Sequence, residues 1–162
     1  MNDNLLPSSN CIALVEKAEG FAPNLYWDVK GWSIGFGCFI GNDPVTIAHY
    51  KAIQPLTRLQ AEDLLRSRLQ PVVDALKENV TVTLNQNQFD AIVDWSYNEG
   101  PGVLQPFNPK TGHGSTLIAT LNQGNYLGAS AEFSHWVKAG GQVIPGLVAR
   151  RQEETTLFNT AV

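Results

Sequence analysis

The sequence predicts an α+β fold that is mostly helical, with a small antiparallel sheet near the N-terminus. The 162 residues are 43% hydrophobic and 16% charged, which is typical of one globular domain with a buried core. Residues 25–41 are rich in aromatic residues and glycine, which is typical of short strands. Most of the remaining chain carries apolar residues at helical spacing between capping residues, which predicts several helices.

The first helix is expected over residues 10–18. Ser9 or Asn10 is the expected N-cap, and Gly20 is the expected stop. Glu19 therefore lies in the last turn, at the negative end of the helix dipole. That position disfavours a carboxylate anion and favours the protonated acid, which suits a proton donor.

A small two- or three-stranded antiparallel sheet is expected next. Its first two strands are predicted at 25–28 and 32–36, joined by the hairpin-sized connection 29–31. Residues 35–41 contain three glycines, but neither the strand nor the helix cap of a nucleotide-binding unit flanks them. These glycines therefore indicate close backbone approach or bulges in a twisted hairpin.

Residues 42–56 are expected to be irregular. A capping box of Thr57 and Gln60 then opens a long helix to about residue 77, which Pro71 is expected to kink or split. A second capping box, Asn85 with Gln88, opens a strongly apolar helix that we expect at the centre of the main core.

The C-terminal part reads as shorter helices separated by glycine and proline. A loop is expected over 104–114, followed by a helix capped by Ser115 and another capped by Asn125, which ends near residue 133. Residues 139–141 are expected to break the chain. A last helix is predicted from residue 145 or 146 to residue 158.

Composition excludes several classes of function. The net charge of −4 and the absence of a Lys/Arg block argue against nucleic acid as a partner. No apolar run reaches the roughly 18–20 residues of a membrane span, so no stable membrane insertion is expected, and the polar first ten residues predict cytoplasmic synthesis. The three scattered histidines predict no metal and no cofactor. Cys11 and Cys38 are expected to be separate thiols, or to pair in an oxidising compartment.

One stretch, residues 19–37, carries the groups that glycosidic bond cleavage needs. That reaction uses one protonated carboxyl group and one ionised carboxylate. Glu19 is the expected proton donor and Asp28 the expected anion, while Ser33 offers a hydroxyl to a water molecule or to Asp28. Tyr26 and Trp27 offer apolar faces of the kind on which sugars pack.

The stretch and several later motifs resemble phage-type lysozymes, the endolysins of glycoside hydrolase family 24. The resemblance covers roughly residues 12–158, and its motifs follow in family order. They are Glu19-Gly20, Asp28, the run GWSIGFG at 31–37, LNQNQFDA at 84–91, YNEG at 97–100, STL at 115–117, LNQG at 121–124 and PGLVARRQEE at 145–154.

The resemblance implies hydrolysis of the β-1,4 bond between N-acetylmuramic acid and N-acetylglucosamine in peptidoglycan. It implies Glu19 as general acid and Asp28 as second carboxylate. Ser33 stands where the family has a catalytic-site threonine, and Asn98 matches a polar residue that faces the cleft. The implied fold has a small lobe (about 19–56), a linking helix (about 57–77) and a helical lobe (about 80–158 with the N-terminal helix), separated by a cleft.

The resemblance also implies a biological setting. A monomer is expected, held in the host cytoplasm until a phage membrane-pore protein releases it to the cell wall. Two alternatives stay open: a lytic transglycosylase on the same substrate, and a non-catalytic peptidoglycan-binding module.

Three further features of the sequence leave questions open. Cys38 replaces the family's histidine, which puts stability rather than chemistry in question. The 104–114 loop either extends the cleft wall or is a surface insertion. Arg150 and Arg151 are either solvated helix charges or partners of Glu19.

Overall fold

The computed structural model describes residues 2–161. They form seven α-helices, two short 3-10 helices and five strands in two antiparallel sheets, so the predicted mostly helical α+β class is confirmed. These residues fall into two compact units. We call residues 12–68 the sheet unit, and residues 69–161 together with 2–11 the helical unit. No helix within residues 2–161 combines the length and the apolar character needed to cross a membrane.

Helix α1 (Ser9–Glu19) confirms the first predicted helix. The expected cap at Ser9 or Asn10 is wrong, because the hydroxyl of Ser8 accepts a hydrogen bond from the Asn10 amide at 3.1 Å. The helix ends at Glu19, since Gly20 adopts a φ of +71° that a side chain disfavours. Glu19 therefore lies in the last turn, as predicted, although the helix extends one residue beyond the predicted end at residue 18.

The predicted sheet has three strands, in the order β1 (Ala22–Asp28), β2 (Gly31–Gly35) and β3 (Cys38–Gly41). Strand β1 starts three residues before its predicted start and includes Pro23. Proline is tolerated there because β1 lies at the sheet edge, and the Pro23 carbonyl accepts from the Leu56 amide at 2.8 Å.

The irregular structure expected over 42–56 is wrong, because helix α2 (Pro44–Ile53) occupies most of it. Asp43 caps this helix by accepting a hydrogen bond from the Thr46 amide at 2.8 Å, and Pro44 is its first residue. Proline fits that position because the first turn needs no amide donor. None of the helix residues is buried, so no apolar periodicity marked the helix in the sequence.

Helix α3 (Arg58–Asn79) begins at the predicted capping box, in which the Thr57 amide donates to Gln60 at 2.8 Å. The helix continues through Pro71, so a split is wrong, and the alternative of a kink at Pro71 stays a prediction. Proline inside a helix costs about 3 kcal/mol. Buried apolar residues on both sides of Pro71 offset that cost by packing: Leu65, Leu69, Val72, Val73 and Leu76.

Helix α4 (Gln86–Glu99) lies at the centre of the helical unit, as predicted. Asn85 and Gln88 form the complete capping box. All residues from 89 to 96 are buried, and Trp95 makes edge contacts with Phe133 and Trp136 at ring distances of 5.9 and 5.2 Å. Helix α7 (Pro145–Asn159) packs against α4.

The shorter elements complete the helical unit. The predicted caps of α5 (Thr116–Asn122) and α6 (Tyr126–Glu132) are confirmed, with Ser115 and Asn125 accepting from the amides of Ile118 and Gly128. The expected break at 139–141 is a turn in a hairpin of β4 (Lys138–Ala139) and β5 (Gln142–Val143). Its two central glycines have φ values of +57° and +80°, as tight hairpin turns require.

Candidate functional site

Glu19 is brought to the sheet by the turn that follows α1. Its side chain is half-buried, and its carboxylate lies against the backbone of Gly37, in the turn between β2 and β3. A Cβ atom at position 37 would stand 2.6 Å from Glu19 Oε2. Gly37 also has a φ of +68°, which disfavours any side chain there, and an added Cβ would in addition displace the Glu19 carboxyl group.

The register of β1 and β2 assembles the other predicted residues. Tyr26 lies opposite Ser33, and Asp28 lies opposite Gly31 at the hairpin end. Because side chains alternate along a strand, Tyr26, Asp28 and Ser33 share one face of the sheet. Asp28 is exposed, and its Oδ1 accepts a hydrogen bond from the Val29 amide at 2.7 Å.

The negative charges of Glu19 and Asp28 both act on the pKa of Tyr26. Burial is the largest cause that raises the pKa of the Tyr26 phenol, and the negative charge of Asp28 is the next. Glu19 and Cys38 raise this pKa further, while a hydrogen-bonding contact with the Ser33 hydroxyl lowers it. Glu19, Asp28 and Ser33 therefore act on a single phenol, which keeps its proton at neutral pH.

Ser33 is the most enclosed of the predicted site residues. Its side chain is fully buried, and among residues 2–161 its Oγ makes no hydrogen bond of complete geometry, although it is close enough to Tyr26 to affect that pKa. A buried hydroxyl without a full hydrogen bond is costly and therefore unusual. Its role toward a water molecule or Asp28 stays a prediction.

Trp27 projects from the other face of the sheet. Strand alternation separates it from Tyr26 and Asp28, and it pairs instead with Trp32, edge to face, at a ring distance of 5.7 Å. Its side chain is 60% exposed. The structure thus brings Glu19, Tyr26, Asp28 and Ser33 together, and it places Trp27 on the opposite surface.

Arg58 makes contacts next to the site that the sequence did not reveal. Its guanidinium pairs with Glu16 at 2.6 Å and lies over the rings of Phe21 and Phe36, at 5.4 and 5.2 Å. It thereby joins α1, the turn after Glu19 and the β2–β3 turn. No sequence signal marks this contact, because its partners lie 22 to 42 residues away.

The remaining predicted residue, Asn98, belongs to the helical unit. It lies near the end of α4, half-buried, and its Oδ1 accepts a hydrogen bond from Arg151 Nη2 at 3.0 Å. Arg151 is part of a buried network that we call the arginine cluster. The cluster consists of Asp94, Glu99, Arg150, Arg151 and Glu154.

The arginine cluster is almost fully removed from water. Arg150 binds Asp94 through two hydrogen bonds of 2.9 and 3.0 Å, and Arg151 binds Glu99 at 2.9 Å and Glu154 at 2.7 Å. Both arginines are buried, so their interpretation as solvated helix charges is wrong. A pairing of either arginine with Glu19 stays a prediction. Asp94 stands within the apolar run AIVDW, and that was the one available signal of a buried charge.

Glu154 is the group in the cluster whose ionisation is most perturbed. Burial is the largest cause that raises its pKa well above the ordinary range, followed by a hydrogen bond to Asp94 and by the negative charge of Asp94. The two arginines act in the opposite direction. Burial thus opposes ionisation of Glu154, although its Oε1 lies 2.7 Å from Arg151 Nη2 and 3.7 Å from Arg150 Nε.

The sequence also led to predictions about the two cysteines and about metal binding. Cys11 and Cys38 are both buried, and they are separate thiols rather than a disulfide. Within residues 2–161, the His, Cys, Asp and Glu side chains form no group of three or more that is placed to hold a metal ion.

Comparison with known proteins identifies relatives along almost the whole chain. A family model described as phage lysozyme matches residues 16–154, a range that contains every predicted site residue. The endolysin of Bacillus phage PZA is 38% identical over 152 residues, which are 92% of this chain and 53% of that protein. The endolysin of Acyrthosiphon pisum secondary endosymbiont phage 1 is 36% identical over 160 residues, covering 95% of this chain and 98% of that protein.

A comparison with solved structures also finds a phage lysozyme. A mutant of P22 lysozyme superposes with a TM-score of 0.76 at 33% identity, covering 96% of this chain and 99% of that one. The present chain spans about half the length of the two Bacillus phage relatives, 53% and 52%.

Proposed function

The chain belongs to the phage lysozyme family, and we propose that it is an endolysin that cleaves bacterial peptidoglycan as a muramidase. The bond cleaved is the β-1,4 linkage between N-acetylmuramic acid and N-acetylglucosamine. The observation that carries the proposal is the β1–β2 register, which places Tyr26, Asp28 and Ser33 on one face of the sheet, with Glu19 beside the β2–β3 turn at Gly37. No further protein group and no cofactor is needed for this reaction, which requires two carboxyl groups in different protonation states.

Glu19 is the general acid in this proposal. It is half-buried at the end of α1, and its carboxyl group lies against Gly37. It donates its proton to the glycosidic oxygen as the bond to the sugar ring breaks. General acid catalysis of this kind contributes about 10²- to 10⁴-fold to a rate.

Asp28 is the second carboxylate. Its Oδ1 accepts a hydrogen bond from the Val29 amide at 2.7 Å, and its side chain is exposed. The anion offsets the positive charge that develops on the sugar ring as the leaving oxygen departs. Ser33 holds a water molecule or the Asp28 side chain, and Tyr26 supplies a neutral phenol beside both carboxylates.

Three residues bind the substrate in this proposal. Tyr26 and Asn98 are half-buried residues with polar side chains, and Trp27 offers an exposed ring on the other face of the sheet. The lobed arrangement implied by the resemblance, with a cleft and a linking helix at about 57–77, is part of the same proposal. Product analysis tests the reaction itself.

The deciding experiment is mass spectrometry of fragments released from purified peptidoglycan. A muramidase leaves N-acetylmuramic acid at a reducing end, which borohydride reduces. A lytic transglycosylase leaves 1,6-anhydro ends, and a non-catalytic module sediments with the wall and releases nothing. Reducing muramic ends are the expected result, and either of the other two outcomes would overturn the proposal.

The cellular setting is a further part of the proposal. We expect a monomer that collects in the host cytoplasm until a phage membrane-pore protein lets it reach the wall. Expression in a host without a pore protein should leave cells intact until chloroform opens the membrane. Lysis without that treatment, or a dimer in size-exclusion chromatography, would contradict it.

A further inference from the structure

We propose that Arg151 fixes the side-chain amide of Asn98, so that Asn98 recognises substrate only as a hydrogen-bond donor. The ligand group opposite it is then an uncharged acceptor oxygen, of the carbonyl type that the acetamido groups of peptidoglycan carry. The inference rests on the proposed function, because it assigns a role to Asn98 toward that substrate.

The first step is the orientation of the amide. Arg151 Nη2 lies 3.0 Å from the oxygen of the Asn98 side chain. A guanidinium group only donates hydrogen bonds, so the Asn98 atom that faces it has to be the oxygen. The chemistry of Arg151 therefore excludes the opposite orientation, in which the Asn98 NH2 group would face the guanidinium group.

The second step is the rigidity of Arg151. Its side chain is 1% exposed, Nη1 donates to Glu99 at 2.9 Å, and Nη2 donates to Glu154 at 2.7 Å. The two hydrogens of Nη2 are thus divided between Glu154 and Asn98. Arg151 cannot turn away without leaving a buried charge unpaired, which is strongly unfavourable.

The third step concerns the other end of the amide. Within residues 2–161, no hydrogen bond uses Asn98 Nδ2 as donor, and this atom is not among the fully buried polar atoms that lack a partner. The half-buried side chain therefore directs its oxygen into the protein and its NH2 group outward. Such a group discriminates in favour of acceptors and against donors.

Substitution of Asn98 by Asp separates the donor role from a structural one. Aspartate keeps an oxygen for Arg151 and loses the NH2 group. The measurement is the Kd for soluble peptidoglycan fragments in the Glu19→Gln background, where no cleavage disturbs the equilibrium. We expect Asn98→Asp and Asn98→Ala to weaken binding alike, by about 3- to 10-fold, which corresponds to one lost hydrogen bond. Asn122→Asp is the matched control for the added charge, because both ends of the Asn122 amide are bound within the protein.

Arg151 is tested through its coupling to Asn98. Arg151→Lys keeps the charge but has no fork to reach three partners, so the Asn98 amide loses its fixed orientation. We expect weaker binding from Arg151→Lys alone and no further weakening when it is added to Asn98→Ala. An equal weakening in both backgrounds would mean that Arg151 acts only on stability, and would overturn its positioning role.

The outcomes separate the inference from the proposed function. Wild-type affinity of Asn98→Asp would overturn the donor role and leave the muramidase proposal intact. Failure of the Glu19→Gln protein itself to bind fragments, together with no cleavage by wild type, would overturn both. Melting curves of each variant show whether it is folded when its affinity is measured.

Discussion

The carboxylates of the sheet unit and those of the arginine cluster have opposite surroundings. Glu19 is half-buried and Asp28 is exposed, whereas Asp94 and Glu154 have no exposed surface and contact buried arginines. A group that exchanges protons with a substrate needs access, and a buried ion needs partners that replace water. We therefore expect the first pair to take part in the chemistry and the second pair to stabilise the fold, and each substitution below tests one of these two expectations.

The largest effect is expected from Glu19→Gln. The amide cannot donate the proton that the leaving sugar requires, so release of reducing ends from peptidoglycan should fall by about 10²- to 10⁴-fold. The assay is the rate of reducing-end formation at saturating enzyme. Glu62→Gln, which alters an exposed carboxylate of the same unit, is the control and should retain its rate. A comparable loss in both variants would contradict a specific role for Glu19.

Asp94→Ala should produce the largest loss of stability. It leaves the Arg150 guanidinium buried without its two-bond partner, which costs about 3–5 kcal/mol in the free energy of unfolding. Urea denaturation measures it. The control, Glu62→Ala, breaks the exposed Arg66–Glu62 pair and should cost only about 0.3–0.5 kcal/mol. Similar losses in the two variants would show that burial of the cluster contributes nothing.

Gly37→Ala should harm both stability and activity. The left-handed backbone costs about 1–2 kcal/mol with a side chain, and the new methyl group displaces the Glu19 carboxylate. Gly124→Ala is the matched control, since its φ is +78° and it has open space around it. Both variants should lose stability, but only Gly37→Ala should lose a large part of its turnover. Equal turnover in the two would refute the contact between Gly37 and Glu19.

Glu154→Gln should change the pH dependence of stability. Because folding raises the pKa of Glu154, the folded protein holds a proton that the unfolded chain releases above about pH 4.5. Wild-type stability should therefore fall as pH rises from there toward the raised pKa, by at most about 1.4 kcal/mol per pH unit. Glutamine mimics the protonated acid, since its oxygen accepts from Arg151 and its NH2 group donates to Asp94. Melting temperatures across pH 4–8 should thus decline less in Glu154→Gln than in wild type, and parallel curves would contradict a protonated Glu154.

Local sequence signals were sufficient for most of the fold. Helix caps at Thr57, Asn85, Ser115 and Asn125 were predictable because a cap and its partner lie three residues apart. Helix α2 was missed because Asp43-Pro44 is typical of a turn as well as of a helix start, and because no buried face followed it. Pro71 does not split α3, because the packing of buried apolar residues along the helix outweighs the local preference of proline.

The site could be predicted only where its residues lie close together in the sequence. Glu19, Asp28 and Ser33 lie within fifteen residues, and strand register explains how Ser33 meets Tyr26. The same alternation was available for Trp27, whose position between Tyr26 and Asp28 sends it to the opposite face. Contacts such as Arg58 with Glu16, or Arg151 with Asn98, join residues 42 and 53 positions apart, and no local pattern encodes them.

The expected difference between the sheet unit and the arginine cluster is tested most directly by making the same Glu-to-Gln substitution in each region. Glu19→Gln and Glu154→Gln both replace a carboxyl group with an amide of the same shape, and both are assayed for reducing ends released from peptidoglycan and for cooperative melting. We predict that both variants melt cooperatively, that Glu19→Gln loses about 100-fold or more of the turnover, and that Glu154→Gln keeps most of it. Wild-type turnover by Glu19→Gln, or an equal loss in Glu154→Gln, would contradict the account.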